Sequence, residues 1–128
     1  MEKSNLLIDS QILIWSQYQP EKLSERAKIL LQDDVLTKWI SIVTIWELTI
    51  KISKNALAFD FDWKQLFEEQ PFELMKIDVS HIDQTRTLPF IHKDPFDRLL
   101  IAQSIVEEMP LITSDKHIHQ YDFAFIKA

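Results

Sequence analysis

The chain has 128 residues and a formal net charge of −6, and it contains no glycine and no cysteine. A protein of this length has about nine glycines at average usage, so their absence excludes Walker and Rossmann phosphate loops and the nucleophile elbow. The lack of cysteine excludes thiol nucleophiles, disulfides and cysteine-ligated zinc, and the acidic balance argues against binding through a broad basic surface.

The first half of the chain is predicted to alternate short apolar strands with helices. In chain order the predicted elements are a strand over Leu6 to Asp9, a helix over Ile12 to Tyr18, a helix from the Ser24 cap to about Gln32, a strand over Trp39 to Ser41 and a helix from about Val43 to Lys54. Asn55 then stands where glycine usually ends a helix. Asparagine is the best substitute there because it tolerates the left-handed backbone conformation.

The second half continues this alternation. Its predicted elements are a helix from the Asp62 cap to about Glu69, a strand over Phe72 to Ile77, a helix over Ser80 to Thr87, a helix opened by Asp94 and Pro95 and running to about Glu108, and strands over Leu111 to Thr113 and Phe123 to Ile126. Short apolar strands separated by helices are typical of a parallel sheet covered on both faces. We therefore expect an α/β fold, a three-layer α/β/α sandwich around a parallel sheet of about 4–5 short strands.

No linker, repeat or low-complexity tract interrupts the sequence, so residues 1–128 are predicted to form a single domain. Apolar residues make up 46% of the chain, which is enough for a core. The first apolar run, Leu6 to Ile8, is too short for a signal peptide, and no stretch approaches the roughly 18 apolar residues of a membrane span. We expect a soluble cytoplasmic protein that does not bind a membrane.

Four acidic residues lie at strand ends or on apolar helices. Asp9 and Asp115 follow two predicted strands, at the edge of a parallel sheet where ligands bind. Glu47 and Asp97 lie on or beside helix faces that are expected to be buried. Taken singly, each acid also has an ordinary structural interpretation as a helix cap, a helix-dipole partner or the ion-pair partner of Lys51.

Taken together, the four acids predict a metal site. Carboxylates that converge on one sheet edge repel one another and raise their own pKa values. A bound cation removes this repulsion, and ligands that are all oxygen select Mg²⁺ or Mn²⁺ over zinc.

Four segments of the chain, taken in order, resemble the PIN domain, and they are most similar to the VapC-type toxins of bacterial toxin–antitoxin pairs. They are residues 6–10 (LLIDS), 45–48 (IWEL), 94–103 (DPFDRLLIAQ) and 111–115 (LITSD). The third segment is the most specific, and the resemblance runs from about residue 5 to 126.

The resemblance implies a Mg²⁺- or Mn²⁺-dependent endoribonuclease with a parallel-sheet fold, an RNA substrate, a cognate antitoxin and a homodimeric state. It places the family's acidic site on Asp9, Glu47, Asp97 and Asp115. Asp9, Asp97 and Asp115 are the expected metal ligands, whereas Glu47 either binds the ion or polarises the attacking water. The family's usual glycines are replaced by Asn55 and by Glu108 or Met109, which changes loops rather than acids.

Further candidates lie beside these acids. Ser10, Thr113, Ser114 and Asp94 are candidates for supporting the site, and Asp94 is more simply an N-cap. Candidates for contacting RNA are Lys51, His92, Lys93 and Arg98.

The aromatic and histidine residues have two interpretations each. Trp46 is a candidate for stacking on a base, although a core position is the favoured interpretation. His117 and His119 form an H-x-H pair, which without a third ligand is more typical of a surface than of a metal site. The aromatic cluster is a candidate interface with a second copy or an antitoxin, and it consists of Phe59, Phe61, Trp63 and Phe67.

Two other functions compete with a nuclease, and a third is excluded by one residue. A catalytically inactive PIN-like module that binds RNA or protein would normally have lost one or more acids, whereas this chain has all four. A phosphorylation receiver domain needs an adjacent acid pair after its first strand, which Asp9-Ser10-Gln11 lacks. An Asp-x-Asp phosphatase is excluded at the same place because Gln11 is not acidic.

Overall fold

A computed structural model of the chain describes residues 4–128. These residues contain five strands and six α-helices, which are joined by loops and short 3-10 turns. The strands are β1 (Asn5–Ile8), β2 (Thr37–Ser41), β3 (Phe72–Met75), β4 (Leu111–Thr113) and β5 (Phe125–Lys127). The helices are α1 (Ser10–Tyr18), α2 (Glu25–Gln32), α3 (Ile42–Ser53), α4 (Trp63–Glu69), α5 (Val79–Gln84) and α6 (Pro95–Val106). The predicted domain also includes residues 1–3, which lie outside the described residues.

The strands form one sheet in the order β3-β2-β1-β4-β5, and every neighbouring pair is parallel. In the central strand β1, Leu7 is in register with Trp39 of β2 on one side and with Leu111 of β4 on the other. Parallel neighbours require crossover connections, and the helices supply them. The carboxyl ends of β1 and β4 therefore lie side by side, which brings together the residues that follow each strand.

Two hydrophobic layers confirm the predicted three-layer sandwich. Leu6 and Ile8 of β1 pack in one cluster with α1 and with Leu48 of α3. Leu7, which points to the opposite face of the sheet, packs in a second cluster with Leu100 of α6. Because both faces of the central strands are covered, those strands read as continuous apolar runs rather than as alternating ones.

The observed elements differ from the predicted ones mainly at their ends. Helix α1 begins at Ser10, two residues earlier than expected, because Asp9 itself is the N-cap and accepts a bond of 2.8 Å from the amide of Ile12. The helix predicted over Ser80 to Thr87 is divided into α5 and a 3-10 turn over Thr85–Thr87. Within residues 4–128, no helix is both long and apolar enough to cross a membrane.

Helices α3 and α6 both end in a motif that usually contains glycine, but in this chain another residue takes the glycine position. Asn55 has a φ of 55° and Glu108 a φ of 52°. After α3, the amide of Ala56 donates to the carbonyl of Lys51, and after α6 the amide of Met109 donates to Ser104. These bonds are those of a Schellman motif, in which a left-handed residue ends the helix. The predicted role of Asn55 is thereby confirmed, and Glu108 takes the place of the second family glycine.

A buried hydrogen bond links the two helices that carry Glu47 and Asp97. Ser41 caps α3 by accepting from the amide of Val43 at 3.0 Å. Its hydroxyl also lies 2.5 Å from Oε1 of Gln103 on α6, to which it donates. Both side chains are fully buried, so this bond fixes the start of α3 against the middle of α6.

Candidate active site

Asp9 lies in the sheet edge where β1 ends and α1 begins. Its side chain is buried, with a relative exposure of 4%, and its Oδ1 caps α1. Burial raises the pKa of Asp9 from 3.8 to about 7 because the charged form loses its hydration. Hydrogen bonds from Thr113 and from the amide of Ile12 lower that pKa in part, while the charges of Asp97 and Asp115 raise it further.

Thr113 and Asp115 come from the end of the neighbouring strand β4. The Thr113 side chain is fully buried, and its Oγ1 accepts from the amide of Asp115 at 3.1 Å. With that oxygen engaged as an acceptor, the hydroxyl hydrogen is free to donate to Asp9. Oδ1 of Asp115 accepts from the amide of His117 at 2.8 Å, which orients the half-buried carboxylate.

Asp97 reaches the same edge from the first turn of α6. Burial raises the pKa of Asp97 to about 6, and the charges of Asp94, Glu47 and Asp115 raise it as well. A hydrogen bond with His92 acts in the opposite direction, and Nε2 of His92 lies 2.7 Å from Oδ2 of Asp97. Asp97 is thus the carboxylate that interacts with all the other acids of the site.

Asp94 has the predicted capping role. Its Oδ1 accepts from the amides of Phe96 at 2.8 Å and of Asp97 at 3.3 Å, at the first turn of α6. One oxygen of Asp94 is therefore used by the helix. The ligand atoms of His92, Asp94 and Asp97 all lie within 4.8 Å of one another, so Asp94 is also close to the acid site.

Glu47 lies on the buried face of α3, together with Thr44 and Leu48. The carboxylate of Glu47 forms an ion pair with Lys51, in which Oε2 and Nζ are 3.2 Å apart. Thr44, one turn earlier on this face, has a hydroxyl that is the single buried side-chain polar atom without a hydrogen-bond partner in residues 4–128. Thr44 is not recognisable as a site residue from the sequence, because nothing in a helical pattern shows that a threonine hydroxyl will lack a partner.

The donor set of this edge fits a hard divalent cation. Asp9, Glu47, Asp97 and Asp115 offer carboxylate oxygens, which Mg²⁺ and Mn²⁺ prefer. Two of these carboxyl groups have raised pKa values that result from burial and from mutual repulsion, and a cation would relieve both effects. Ser10 and Ser114, which were predicted to support such ligands, are half-buried and follow Asp9 or precede Asp115 in the sequence.

Comparison with protein families matches the PIN domain model to residues 6–124. This match covers more than nine-tenths of the chain. The chain belongs to the PIN domain family. No curated protein sequence matches it significantly.

Several solved structures have the same fold as this chain. This PIN domain is similar to a chain of VapBC2 from Rickettsia felis bound to a promoter DNA fragment, with a TM-score of 0.69, 14% identity and coverage of 96% and 98% of the two chains. For a toxin–antitoxin complex from Klebsiella pneumoniae the TM-score is 0.65 and the identity 17%, with coverage of 95% of this chain and 96% of that chain. For FitAcB from Neisseria gonorrhoeae the TM-score is 0.64 and the identity 14%, with coverage of 95% and 96%. At these identities the likeness shows the fold.

The placement of Arg98 in this PIN domain argues against its predicted contact with RNA. The Arg98 side chain is buried, and its guanidinium donates to the carbonyls of Thr85, Leu88 and Pro89 and to the hydroxyl of Tyr121. It also lies over the ring of Phe90 at 4.5 Å. A guanidinium bonded in this way stabilises the loop before α6, which argues against a role in binding a phosphate.

The other three residues that were predicted to contact RNA, Lys51, His92 and Lys93, differ in how exposed their side chains are. Lys93 is exposed, and half of the Lys51 side chain is exposed beyond its ion pair with Glu47. His92 points inward to Asp97 and stacks on His117. Two lysines of the PIN domain therefore remain available to a phosphate backbone, and His92 is engaged within the site.

The favoured core position of Trp46 is wrong, since this side chain is 56% exposed. Its ring packs edge-on against Phe96, with the ring centroids 5.1 Å apart. Trp46 directly precedes Glu47 in the sequence, and Phe96 directly precedes Asp97. The cluster of Phe59, Phe61, Trp63 and Phe67 is half-buried against the core. His119 bonds the carbonyl of Thr113 and stacks on Phe125, whereas His117 stacks on His92, so the two histidines have different partners.

Proposed function

We propose that this PIN domain is a Mg²⁺- or Mn²⁺-dependent endoribonuclease and the toxin of a bacterial toxin–antitoxin pair. The observation that supports the proposal is the mutual charge interaction of Asp97 with Asp9, Glu47 and Asp115, together with a pKa of about 7 for Asp9 and about 6 for Asp97. Such carboxylates are poised to exchange protons for a cation. The membership in the PIN family supports a nuclease.

Asp9, Asp97 and Asp115 are the residues that would hold the ion. When bound, a divalent cation supplies a water of lowered pKa and neutralises charge on the scissile phosphate. Glu47 would act at the rim of this group, where its carboxylate is held by Lys51. Thr113 would keep Asp9 ionised by donating to it, and the exposed Lys93 would attract the RNA backbone.

The partners follow from the same comparison. One similar structure is a toxin–antitoxin complex, and another, VapBC2, is bound to a DNA fragment from its promoter. We therefore propose a cognate antitoxin, a homodimeric toxin and a cytoplasmic RNA substrate for this chain. A short reading frame for a DNA-binding protein directly upstream of this gene would support the antitoxin, and co-purification with its product would test it.

The proposed activity is tested by incubating the chain with labelled total RNA and Mg²⁺ or Mn²⁺, with and without a chelator. We expect discrete fragments that require the metal and that disappear in Asp9→Asn and Asp97→Asn. Asp34→Asn is the matched control, because it removes the same charge from an exposed residue before β2, at the opposite edge of the sheet. Absence of cleavage by the wild type would favour the inactive binding module, and chelator-sensitive cleavage by Asp9→Asn would refute the assignment of the acids.

A further inference from the structure

The segment between α5 and α6 places His92 directly against Asp97. Nε2 of His92 and Oδ2 of Asp97 are 2.7 Å apart, and the two side chains are 22% and 14% exposed. An ionised carboxylate only accepts hydrogen bonds, so Nε2–H of His92 is the donor. The imidazole also stacks on His117, with ring centroids 4.9 Å apart and planes 13° from parallel.

A buried tyrosine holds the backbone of His92. The hydroxyl of Tyr121 accepts from the amide of His92 at 2.9 Å and donates to its carbonyl at 3.2 Å. Tyr121 is only 3% exposed. Both peptide groups of His92 are thus fixed by one hydroxyl that belongs to a distant part of the chain.

Arg98 joins this tyrosine to the loop and to α6. Its NH1 donates to Pro89 at 2.8 Å and to Tyr121 at 3.3 Å, and its NH2 donates to Thr85 at 3.0 Å. Because Arg98 follows Asp97 directly in α6, one guanidinium connects the loop that carries His92 with the helix that carries Asp97. The distance between His92 and Asp97 is therefore set by buried contacts rather than by a mobile surface side chain.

We propose that His92 is a positioning residue of the acid site, which holds Oδ2 of Asp97 through Nε2–H so that the other carboxylate oxygen stays available to a cation. This role rests on the proposed function, because it concerns the same divalent ion. Hydrogen bonds to a ligating carboxylate fix its orientation, and loss of such a partner typically weakens metal binding by about 10–100-fold. Tyr121 and Arg98 act one step further out by keeping the imidazole in place.

The test is a calorimetric titration of the full chain with Mn²⁺ at pH 8. For His92→Ala we expect a dissociation constant roughly 10–100-fold above that of the wild type. In His92→Gln the amide nitrogen replaces Nε2 as a donor, so we expect recovery to within about three-fold of the wild type. Tyr121→Phe keeps the buried ring and loses the hydroxyl, and it should weaken binding in the same direction as His92→Ala.

His117→Ala is the control for the stacked ring, because this exposed histidine touches His92 and makes no side-chain bond to an acid of the site. We expect its affinity for Mn²⁺ to equal that of the wild type. Wild-type affinity in His92→Ala would overturn the positioning role. Equal weakness of His92→Gln and His92→Ala would also overturn it, because the imidazole itself rather than the hydrogen bond would then be required.

Two readouts separate this role from general stability and from the proposed function. Thermal unfolding without metal should be similar in His92→Gln and His92→Ala. If His92→Ala unfolds at a different temperature from the wild type but binds Mn²⁺ with the wild-type affinity, the positioning role is overturned. Metal-dependent RNA cleavage by the wild type together with normal Mn²⁺ binding by His92→Ala leaves the nuclease standing and refutes the role of His92. Binding of Mn²⁺ that depends on His92, without cleavage of any RNA, supports the role and refutes the nuclease.

Discussion

Asp9 and Thr113 lie side by side at the carboxyl ends of neighbouring parallel strands, one position beyond the registered pair Ile8 and Ile112. The amide of Asp115 donates to the Thr113 hydroxyl, and that hydroxyl lowers the pKa of Asp9 by donating to its carboxylate. The strand register thus places a hydroxyl that is engaged by a backbone amide next to a buried acid, whose pKa it lowers.

The ionisation of Asp9 should make the metal-free protein less stable as the pH rises. Its folded pKa is about 7 against 3.8 for an unperturbed group, so the stability linked to Asp9 is fully present below about pH 4 and is lost as the pH rises towards 7. The linked loss is on the order of 4 kcal/mol. Asp9→Asn keeps the capping oxygen and removes the charge, so in the presence of a chelator it should melt roughly 5 °C or more above the wild type at pH 8.

At pH 3 the two proteins should melt at nearly the same temperature, because Asp9 is then largely neutral in the folded and in the unfolded state. Thermal unfolding followed by circular dichroism measures both conditions. Asp34→Asn removes an exposed acid and should follow the wild type at each pH. A melting curve of Asp9→Asn that lies below the wild type at pH 8 would contradict the raised pKa.

Protons should compete with the metal. The carboxyl groups of Asp9 and Asp97 must be ionised to bind a cation, and their pKa values are about 7 and about 6. Between pH 8 and pH 5.5 both become protonated, which should lower Mn²⁺ affinity on the order of 100-fold. Calorimetry across this range measures the effect, and equal affinity at the two pH values would show that these acids are not the ligands.

Thr113→Val should shift this pH dependence upwards. Valine has the shape of threonine without the hydroxyl, so the pKa of Asp9 loses one of the bonds that lower it. The pH at which half of the Mn²⁺ affinity is lost should therefore rise. Thr37→Val, at the amino end of β2, is the matched control and should leave that midpoint unchanged. An unchanged midpoint in Thr113→Val would remove Thr113 from the site.

Replacement of Arg98 should destabilise the fold even when the charge is kept. Arg98→Lys retains a cation but loses the planar fork that serves several carbonyls and Tyr121, leaving buried acceptors unpaired. We expect a loss of about 2–4 kcal/mol in the free energy of unfolding measured in urea. Arg86→Lys, at an exposed arginine on the preceding turn, should change it by less than about 0.5 kcal/mol. Equal stability of the two variants would contradict the structural role of Arg98.

Glycine at the left-handed positions should stabilise the protein. Glu108 has a φ of 52°, where a side chain with a Cβ is strained. Glu108→Gly removes that strain and makes the unfolded chain more flexible, and we expect a net gain of about 0.5–1 kcal/mol. Asn55→Gly should gain less, because asparagine tolerates this conformation. Urea unfolding of the two variants compares them, and a smaller gain for Glu108→Gly than for Asn55→Gly would contradict this assignment of strain.

The parallel sheet, its helices and the gathering of acids follow from local sequence patterns. Asp9 and Asp115 were predictable because each follows a short apolar run, and runs of this kind end at one edge of a parallel sheet. Asn55 was predictable because few residues other than glycine adopt a positive φ. These features depend on neighbours in the sequence, and so a single chain contains the information.

The surroundings of the acids were not predictable in the same way. Arg98 resembled an RNA contact because it adjoins Asp97, but its partners are carbonyl groups of residues 85–89. Backbone carbonyls occur at every residue and leave no mark in the sequence. The exposure of Trp46 was missed for a related reason, since the apolar pattern of α3 does not show which of its sides lacks a covering element.

The bonds of Arg98 also bear on the order in which parts of the molecule open. The loop before α6 has no strand or helix of its own between Leu88 and Asp94, yet its carbonyls are held by a guanidinium anchored in that helix. We expect such a loop to open together with the helix rather than by itself. Its amides, that of His92 in particular, should exchange with deuterium at the slow rates of α6 rather than at the fast rates of a surface loop.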